Sequence, residues 1–320
     1  MKHILLITLF FVAITATWAQ PIPSKDNNID FLQTFGNKAP ATWGDDDYVQ
    51  TYFVAVPLNY KQPFYIRVFD ANCGGQHDQV NGTFNTKTKY TIYGGNSAYS
   101  NEDARNTEPV GNYKSGVLLH TKLFDNSPEF DNNWYTFGPI NPSEGEYDKD
   151  LNAHVFKIIT EGITGDDGNM YSYYVSTSPT DNKPIEGLNA FAYEISFRMQ
   201  PKTAQKQMHL YPFVDTKVVS VTQNNFDFDN LGFMRLTTIV KKVNSQEVSL
   251  DGTWAKTTAK ITDAEHNTSL DYCITNTNSK ANDAVLFFVN QYGKAIPFFT
   301  TPIGGLPKYK YKINVSYDVE

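Results

Sequence analysis

The sequence predicts an all-β protein built from two antiparallel β-sandwich domains in tandem. Three observations favour this fold class. Aromatic residues make up 14% of the 320 residues, and such side chains suit pleated, half-buried surfaces. Runs of β-branched and aromatic residues alternate with clusters of Asn, Asp, Gly or Pro, which is typical of strands joined by turns. Long helical periodicity is absent from the sequence.

The N-terminal residues 1–19 have the layout of a cleaved secretory signal. An apolar run from Ile4 to Ala16 follows a basic start, and small residues precede a cut after Ala19. The run is shorter than the roughly 20 apolar residues that a bilayer requires. We therefore predict an exported chain, periplasmic, cell-surface or extracellular, that does not span a membrane.

The charge balance excludes one class of partner. Removal of the predicted signal takes Lys2 away and leaves 26 basic against 34 acidic residues, a net charge of −8. An acidic surface without a basic stripe repels phosphate backbones, so we expect no nucleic-acid partner. Divalent cations are better candidates.

Residues 43–179 are expected to form the first sandwich, after an extended leader at residues 20–42. Seven strands are predicted there: Tyr48–Val56, Phe64–Phe69, Lys89–Tyr93, Gly116–Leu123, Trp134–Phe137, His154–Thr160 and Met170–Thr177. A proline-bearing linker at residues 180–184 then marks the domain boundary.

Residues 185–320 are expected to form the second sandwich. Nine strands are predicted there: Ala190–Arg198, Leu210–Val214, Val218–Thr222, Phe233–Lys241, Thr253–Thr262, Ser269–Thr275, Ala284–Asn290, Ala295–Thr301 and Tyr309–Tyr317. Pro297 cannot donate a ladder hydrogen bond, which predicts an edge position or a bulge for its strand.

Two cysteines, Cys73 and Cys273, stand in an exported chain where a disulfide could persist. A bridge would close a loop of about 200 residues and stabilise the fold by about 5 kcal/mol in the chain-entropy model. Geometry decides whether they pair, and the sequence leaves both outcomes open.

Acidic loops suggest a calcium site. If successive strands of the first sandwich alternate in direction, four acidic segments share one rim, and carboxylates gathered there favour a cation. Calcium accepts carboxylate, amide and carbonyl oxygens in tolerant geometry. The predicted ligands are Asp45, Asp46, Asp47, Asp70, Asn72, Asp78, Asp166 and Asp167. The alternative is that these are ordinary turn residues, since no EF-hand spacing is present.

Catalytic signatures are missing: the sequence contains no nucleophile elbow, zinc-binding helix motif or phosphate loop. Glycoside hydrolysis requires only two suitably spaced carboxylates, and the sequence selects no pair. Exposed aromatic residues could instead form a sugar-stacking surface. The candidates for that surface are Trp43, Tyr99, Trp134 and Trp254.

Three segments carry a family resemblance. Residues 64–78, 133–139 (NWYTFGP) and 165–168 (GDDG) resemble segments of uncharacterised exported proteins of Bacteroidota. Residues 43–179 are also similar in pattern to pre-peptidase C-terminal and C2-like sandwiches. The resemblance implies a sandwich that binds calcium or attaches to surfaces, and it carries over no catalytic residue.

Together these observations predict an exported, non-enzymatic binding or cell-surface interaction protein that is stabilised by calcium. A glycan or a cell-surface protein is the expected partner. The alternative is a secreted polysaccharide-acting hydrolase or a carbohydrate-binding module. The sequence does not select an oligomeric state.

Overall fold

The structure is a computed structural model that describes residues 21–240 and 244–303. The N-terminal half of this part contains nine strands: β1 Leu32–Phe35, β2 Val49–Pro57, β3 Phe64–Phe69, β4 Lys87–Gly94, β5 Val117–Phe124, β6 Trp134–Ile140, β7 Glu146–Asp148, β8 Ala153–Thr164 and β9 Gly168–Ser176. Six of the seven strands predicted here differ from the observed ones only at their ends, and Phe64–Phe69 matches at both ends.

The C-terminal half contains eleven strands: β10 Asn189–Ala192, β11 Glu194–Met199, β12 Met208–Val214, β13 Ser220–Phe226, β14 Gly232–Thr237, β15 Asn244–Gln246, β16 Trp254–Lys260, β17 Thr268–Ser269, β18 Asp271–Asn276, β19 Asn282–Asn290 and β20 Phe298–Phe299. Short 3-10 turns occur at Glu102–Arg105, Pro128–Phe130, Pro142–Glu144, Lys202–Ala204 and Asp263–Glu265. The predicted signal peptide and the predicted strand Tyr309–Tyr317 lie outside the described residues. No helix in the described ranges has the length and apolar character that a membrane crossing requires.

The strands form two antiparallel sheets, which confirms the predicted all-β class. The first sheet has eight strands in the order β16-β13-β19-β11-β1-β9-β3-β6. The second has twelve strands, of which ten follow the order β15-β14-β18-β12-β20-β10-β2-β8-β4-β5, with β17 and β7 attached to β12 and β8. Each sheet therefore contains strands from both sides of the predicted boundary at residues 180–184.

Two pairings carry the sheets across that boundary. In the eight-stranded sheet, Leu32 of β1 pairs with Tyr171 of β9 and with Phe197 of β11. In the twelve-stranded sheet, Phe53 of β2 pairs with Phe191 of β10. The segment expected to be an extended leader thus supplies a central strand, which was missed because its apolar pattern is only four residues long.

The two sheets pack face to face through aromatic side chains. The ring of Tyr90 on β4 lies 5.4 Å from that of Tyr171 on β9. The ring of Tyr52 on β2 lies 5.9 Å from that of Tyr173. The hydroxyl of Tyr171 lies 2.9 Å from the Thr34 hydroxyl, so this buried polar group has a hydrogen-bond partner.

The chain changes sheets in two places where a single strand was predicted. Tyr193 separates β10 in the twelve-stranded sheet from β11 in the eight-stranded sheet. Near the C-terminus, Ala295 bridges to Val289 of the eight-stranded sheet, whereas β20 joins the other sheet between β10 and β12. Pro297 lies at this crossing and so marks a change of sheet. The strand that follows it, β20, is internal and not at a sheet edge. At such a crossing the missing N–H of proline breaks no ladder.

Both cysteines are buried free thiols. Cys273 lies on β18 and pairs in register with His209 and Arg235 on the neighbouring strands. Burial raises the pKa of the Cys73 thiol, which favours the unreactive protonated form. The question that the sequence left open is answered in favour of two separate thiols.

The central position of β1 makes a prediction about stability. Leu32 is fully buried, so Leu32→Ala is expected to lower the free energy of unfolding by about 2–5 kcal/mol. The matched control is Leu118→Ala on edge strand β5, where the side chain is 54% exposed, and its effect should stay within about 0.5 kcal/mol. Urea denaturation measures both values. Similar small losses for the two variants would contradict a structural role for the leader.

Candidate functional site

The loop after β3 contains Asp78, whose carboxylate fastens that loop to β9. Its Oδ2 accepts the backbone N–H groups of Gly74 at 2.7 Å and Gly75 at 3.0 Å. Its Oδ1 accepts the N–H of Met170 at 2.7 Å. Burial raises the pKa of Asp78 to about 7, although these three donors act in the opposite direction. Both oxygens are occupied by protein donors, so Asp78 has a structural role.

Asp166 and Asp167 bind the same loop from the β8–β9 turn. Asp167 Oδ1 accepts the N–H of Asn81 at 2.9 Å, and its Oδ2 accepts those of Asn85 at 2.9 Å and Thr86 at 3.2 Å. Asp166 Oδ2 accepts the Asn81 side-chain amide at 2.8 Å. The β8–β9 turn and the loop after β3, two of the predicted acidic segments, are therefore held together by hydrogen bonds from backbone N–H groups to Asp167.

The Asp45–Asp47 segment is tied down in the same way. Asp45 accepts the N–H of Phe35 at 3.2 Å and the side-chain amide of Gln50 at 3.1 Å. Asp47 accepts the N–H of Val49 at 2.8 Å. These bonds place the acidic segment over the junction between β1 and β2.

Asp70 and Asn72, like Asp166 at its Oδ1, each keep a buried oxygen without a hydrogen-bond partner. Asp70 Oδ1 accepts the N–H of Asn132 at 2.7 Å, whereas Asp70 Oδ2 and Asn72 Oδ1 are unpartnered. Burial, with the neighbouring Asp131 carboxyl adding to it, raises the pKa of Asp70 to about 6. A bound cation would relieve the repulsion that Asp131 adds at Asp70.

A different group meets the geometric requirement for a shared ion. Within the described ranges, Asp227, Asp229 and Asp251 form the one set of three acidic, His or Cys side chains whose ligand atoms lie within 4.8 Å of one another. These three carboxylates could hold a metal ion. The acids among the eight predicted ligands contain no set of three that meets this distance requirement.

The cluster lies beyond the last residue pair of the β13–β16 ladder, Phe226 with Trp254. Asp227 Oδ1 accepts the N–H of Gly252 at 2.9 Å, and Asp229 Oδ1 is buried without a partner. Both residues adopt positive φ values, 56° and 55°, which turn their side chains out of the strand alternation. Asp251 is exposed and forms the solvent side of the cluster.

Electrostatics favour a cation at this cluster. Burial raises the pKa of Asp227 to about 7, and the charges of Asp229 and Asp251 add to this effect. The pKa of Asp229 is raised by burial and by Asp251 and Asp283. A cation bound here would offset the repulsion among these acids. The Asp-x-Asp pattern of residues 227–229 signals two members in the sequence, but Asp251 lies in the turn before β16 and has no local signal.

The four predicted aromatic residues lie at separate places. Trp43 packs edge-on against Phe35 at 6.1 Å. Trp134 lies under the Arg67 guanidinium at 4.8 Å on edge strand β6. Trp254 is 46% exposed on edge strand β16. Trp134 and Trp254 lie on the two opposite edge strands of the eight-stranded sheet, and Trp43 and Tyr99 lie in loops, so the four do not make one platform. Tyr99 lines a sizeable groove.

That groove, called the Tyr99 groove below, has a volume of about 440 Å³. It lies between the 3-10 turn Glu102–Arg105, the sheet-crossing residue Tyr193 and the β19–β20 connection. Its polar and aromatic lining includes Tyr99, Arg105, Asn106, Thr107, Tyr193 and Lys294. Apart from Tyr99, these residues were missed, since the sheet crossing that brings them together has no sequence signature.

An acidic pocket of about 20 Å³ adjoins the Tyr99 groove and shares Tyr193 with it. Asp47 and Glu194 line this pocket. Burial raises the pKa of Asp47 to about 7, with Asp46 adding to the effect, and burial followed by the Asp47 charge raises the pKa of Glu194. Neither carboxylate forms an ion pair with a Lys or Arg of the described chain.

No protein-family model matches this chain, and no curated protein matches it. The resemblance to exported sandwiches of Bacteroidota therefore stays a prediction. The acid cluster, the Tyr99 groove and the acidic pocket are the features of the described structure that bear on function.

The acidic pocket predicts a pH dependence of stability. The pKa of Asp47 rises from 3.8 to about 7 on folding, so between these values the folded chain holds a proton that the unfolded chain releases. Stability should accordingly fall as pH rises from about 4 to 7. Asp47→Asn removes this titration and should show a smaller loss across that window in urea denaturation with chelator present. Glu129→Gln, at an exposed position, is the control. If the stability of Asp47→Asn falls with rising pH as steeply as that of the parent chain, the raised pKa of Asp47 is contradicted.

Proposed function

We propose that this chain is an exported, non-enzymatic binding protein that acts in cell-surface interaction and is stabilised by calcium. The observation that supports the calcium site is the cluster of Asp227, Asp229 and Asp251, in which Asp229 Oδ1 is buried without a partner. An unsatisfied buried carboxylate oxygen costs free energy that a bound cation would recover.

Calcium is the proposed ion because the cluster offers only oxygen ligands. Calcium takes six to eight oxygens at about 2.3–2.6 Å and tolerates irregular geometry, whereas zinc sites usually include His or Cys. Asp227 and Asp229 would bind from the buried side and Asp251 from solvent. The ion would join the loop after β13 to the turn before β16 and so fix one end of this pair of neighbouring strands.

Thermal melting tests the calcium site. A ligand that binds only the folded chain at 100 times its Kd adds about 2.7 kcal/mol, so calcium should raise Tm relative to chelator. Asp229→Asn should lose this rise, whereas exposed Asp150→Asn should keep it. Equal Tm in calcium and chelator would contradict the proposal. If Asp70→Asn, and not Asp229→Asn, abolishes the rise, calcium binds beside Asp131 and the cluster assignment is wrong.

A polysaccharide-acting hydrolase is the second candidate, and the acidic pocket is the observation in its favour. Asp47 and Glu194 lie beside a groove of ligand size, and carboxyls with raised pKa values can serve as general acids. The binding proposal is preferred because the carboxylates of this segment also hold the loop: Asp47 accepts a backbone N–H and Asp45 accepts two donors.

A sugar-release assay separates the two candidates. The chain is incubated with xylan, mannan, starch and mixed-linkage glucan in calcium, and reducing ends are measured over time. The binding proposal expects no release above the Glu194→Gln variant. Release by the parent chain that Glu194→Gln abolishes would establish the hydrolase and overturn the non-enzymatic assignment.

A further inference from the structure

The Tyr99 groove has a rigid aromatic wall. The Tyr99 ring packs edge-on against Phe53 at 5.4 Å and against Phe191 at 5.6 Å. Tyr193 packs edge-on against Phe53 at 5.8 Å, and it packs edge-on against Phe191 at 6.2 Å. Because these contacts fix both rings before any ligand arrives, binding costs little side-chain entropy.

A planar cation extends this wall. The Arg105 guanidinium lies over the Tyr99 ring, with its central carbon 5.5 Å from the ring centre. One of its nitrogens donates to the Ser100 carbonyl at 3.2 Å, and the group makes no ion pair with an acid of the described chain. Arg105 also interacts with the hydroxyls of Tyr99 and Tyr193. A guanidinium carries five N–H donors, so the group keeps donors for a ligand, and its fork geometry suits two neighbouring oxygens.

The rest of the rim carries hydrogen-bonding groups and balanced charge. Asn106 and Thr107 supply an amide and a hydroxyl, which both donate and accept. Glu102 and Lys294 pair across the rim at 3.4 Å. A rim of this kind suits a ligand that is rich in hydroxyl groups and uncharged. Its size, about 440 Å³, falls within the range of roughly 300–1,000 Å³ that is typical of small-ligand sites.

We infer that the Tyr99 groove binds a neutral oligosaccharide. A sugar ring has an apolar face, which would pack against the Tyr99 ring and the guanidinium plane above it, and hydroxyls at its edge, which would bond to Arg105, Asn106 and Thr107. An apolar peptide or a lipid would leave these polar groups unpaired, and that costs affinity. This inference rests on the proposed binding function and names its ligand class.

A glycan screen followed by titration calorimetry tests the inference. The full chain in calcium is screened against cellohexaose, xylohexaose, mannohexaose and maltohexaose, with oligogalacturonate as the acidic comparison, and the tightest neutral probe is titrated. Arg105→Ala, Asn106→Ala and Tyr99→Leu should each raise its Kd by about tenfold. Trp254→Ala, which removes an exposed ring on β16, should change Kd less than twofold.

The variants also separate folding from binding. Tyr99→Leu retains apolar bulk against Phe53 and Phe191, and Asn106 is exposed, so an unchanged Tm for Asn106→Ala shows that lost affinity is local to the groove. A tenfold loss in Trp254→Ala with none in the groove variants would overturn the groove. Capture of no neutral probe, or preference for oligogalacturonate, would overturn the ligand class. Neither result bears on the calcium site, which the melting test examines separately.

Discussion

The pairing of β1 with both β9 and β11 is the interaction on which the rest of the structure depends. This four-residue strand joins the N-terminal and C-terminal strands of the eight-stranded sheet. The β2–β10 pair does the same in the opposite sheet. Because both sheets run continuously, their buried side chains form one large apolar core. Rigid placement of residues from distant parts of the sequence follows from this continuity.

Buried carboxylates divide into two kinds according to how their oxygens are satisfied. Asp78 and Asp167 accept backbone N–H groups with both oxygens, and such bonds hold loops in the way that Asx-turns and caps do. Asp70 and Asp229 each retain a buried oxygen without a partner. Since an unpaired buried acceptor is costly, only the second kind indicates a ligand. This distinction, and not the number of acids at a rim, separates structural loops from candidate ion sites.

Local pattern was enough to predict most strands, because alternation and turn residues act over a few neighbours. Two of the acidic segments named from the sequence do lie together, because Asp166 and Asp167 bond to the loop after β3. The hydrogen-bond partners of those acids could not be predicted, because Asp167 bonds to residues more than 80 positions away. The same holds for β1, whose four residues gain their strand conformation from partners in both halves of the chain.

The Tyr99 groove, which is the proposed binding site, lies where regular strand pairing stops. At Tyr193 the chain leaves one sheet for the other, and at residues 295–298 it does so again. The 3-10 turn Glu102–Arg105 lies over this crossing and covers it with loop side chains. Aromatic packing beneath keeps the opening from collapsing, while the loop supplies groups that are free to bond outward. The fold therefore combines a fixed wall with a polar rim at this point, and the proposed hydroxyl-rich ligand would bind there without reorganising the core.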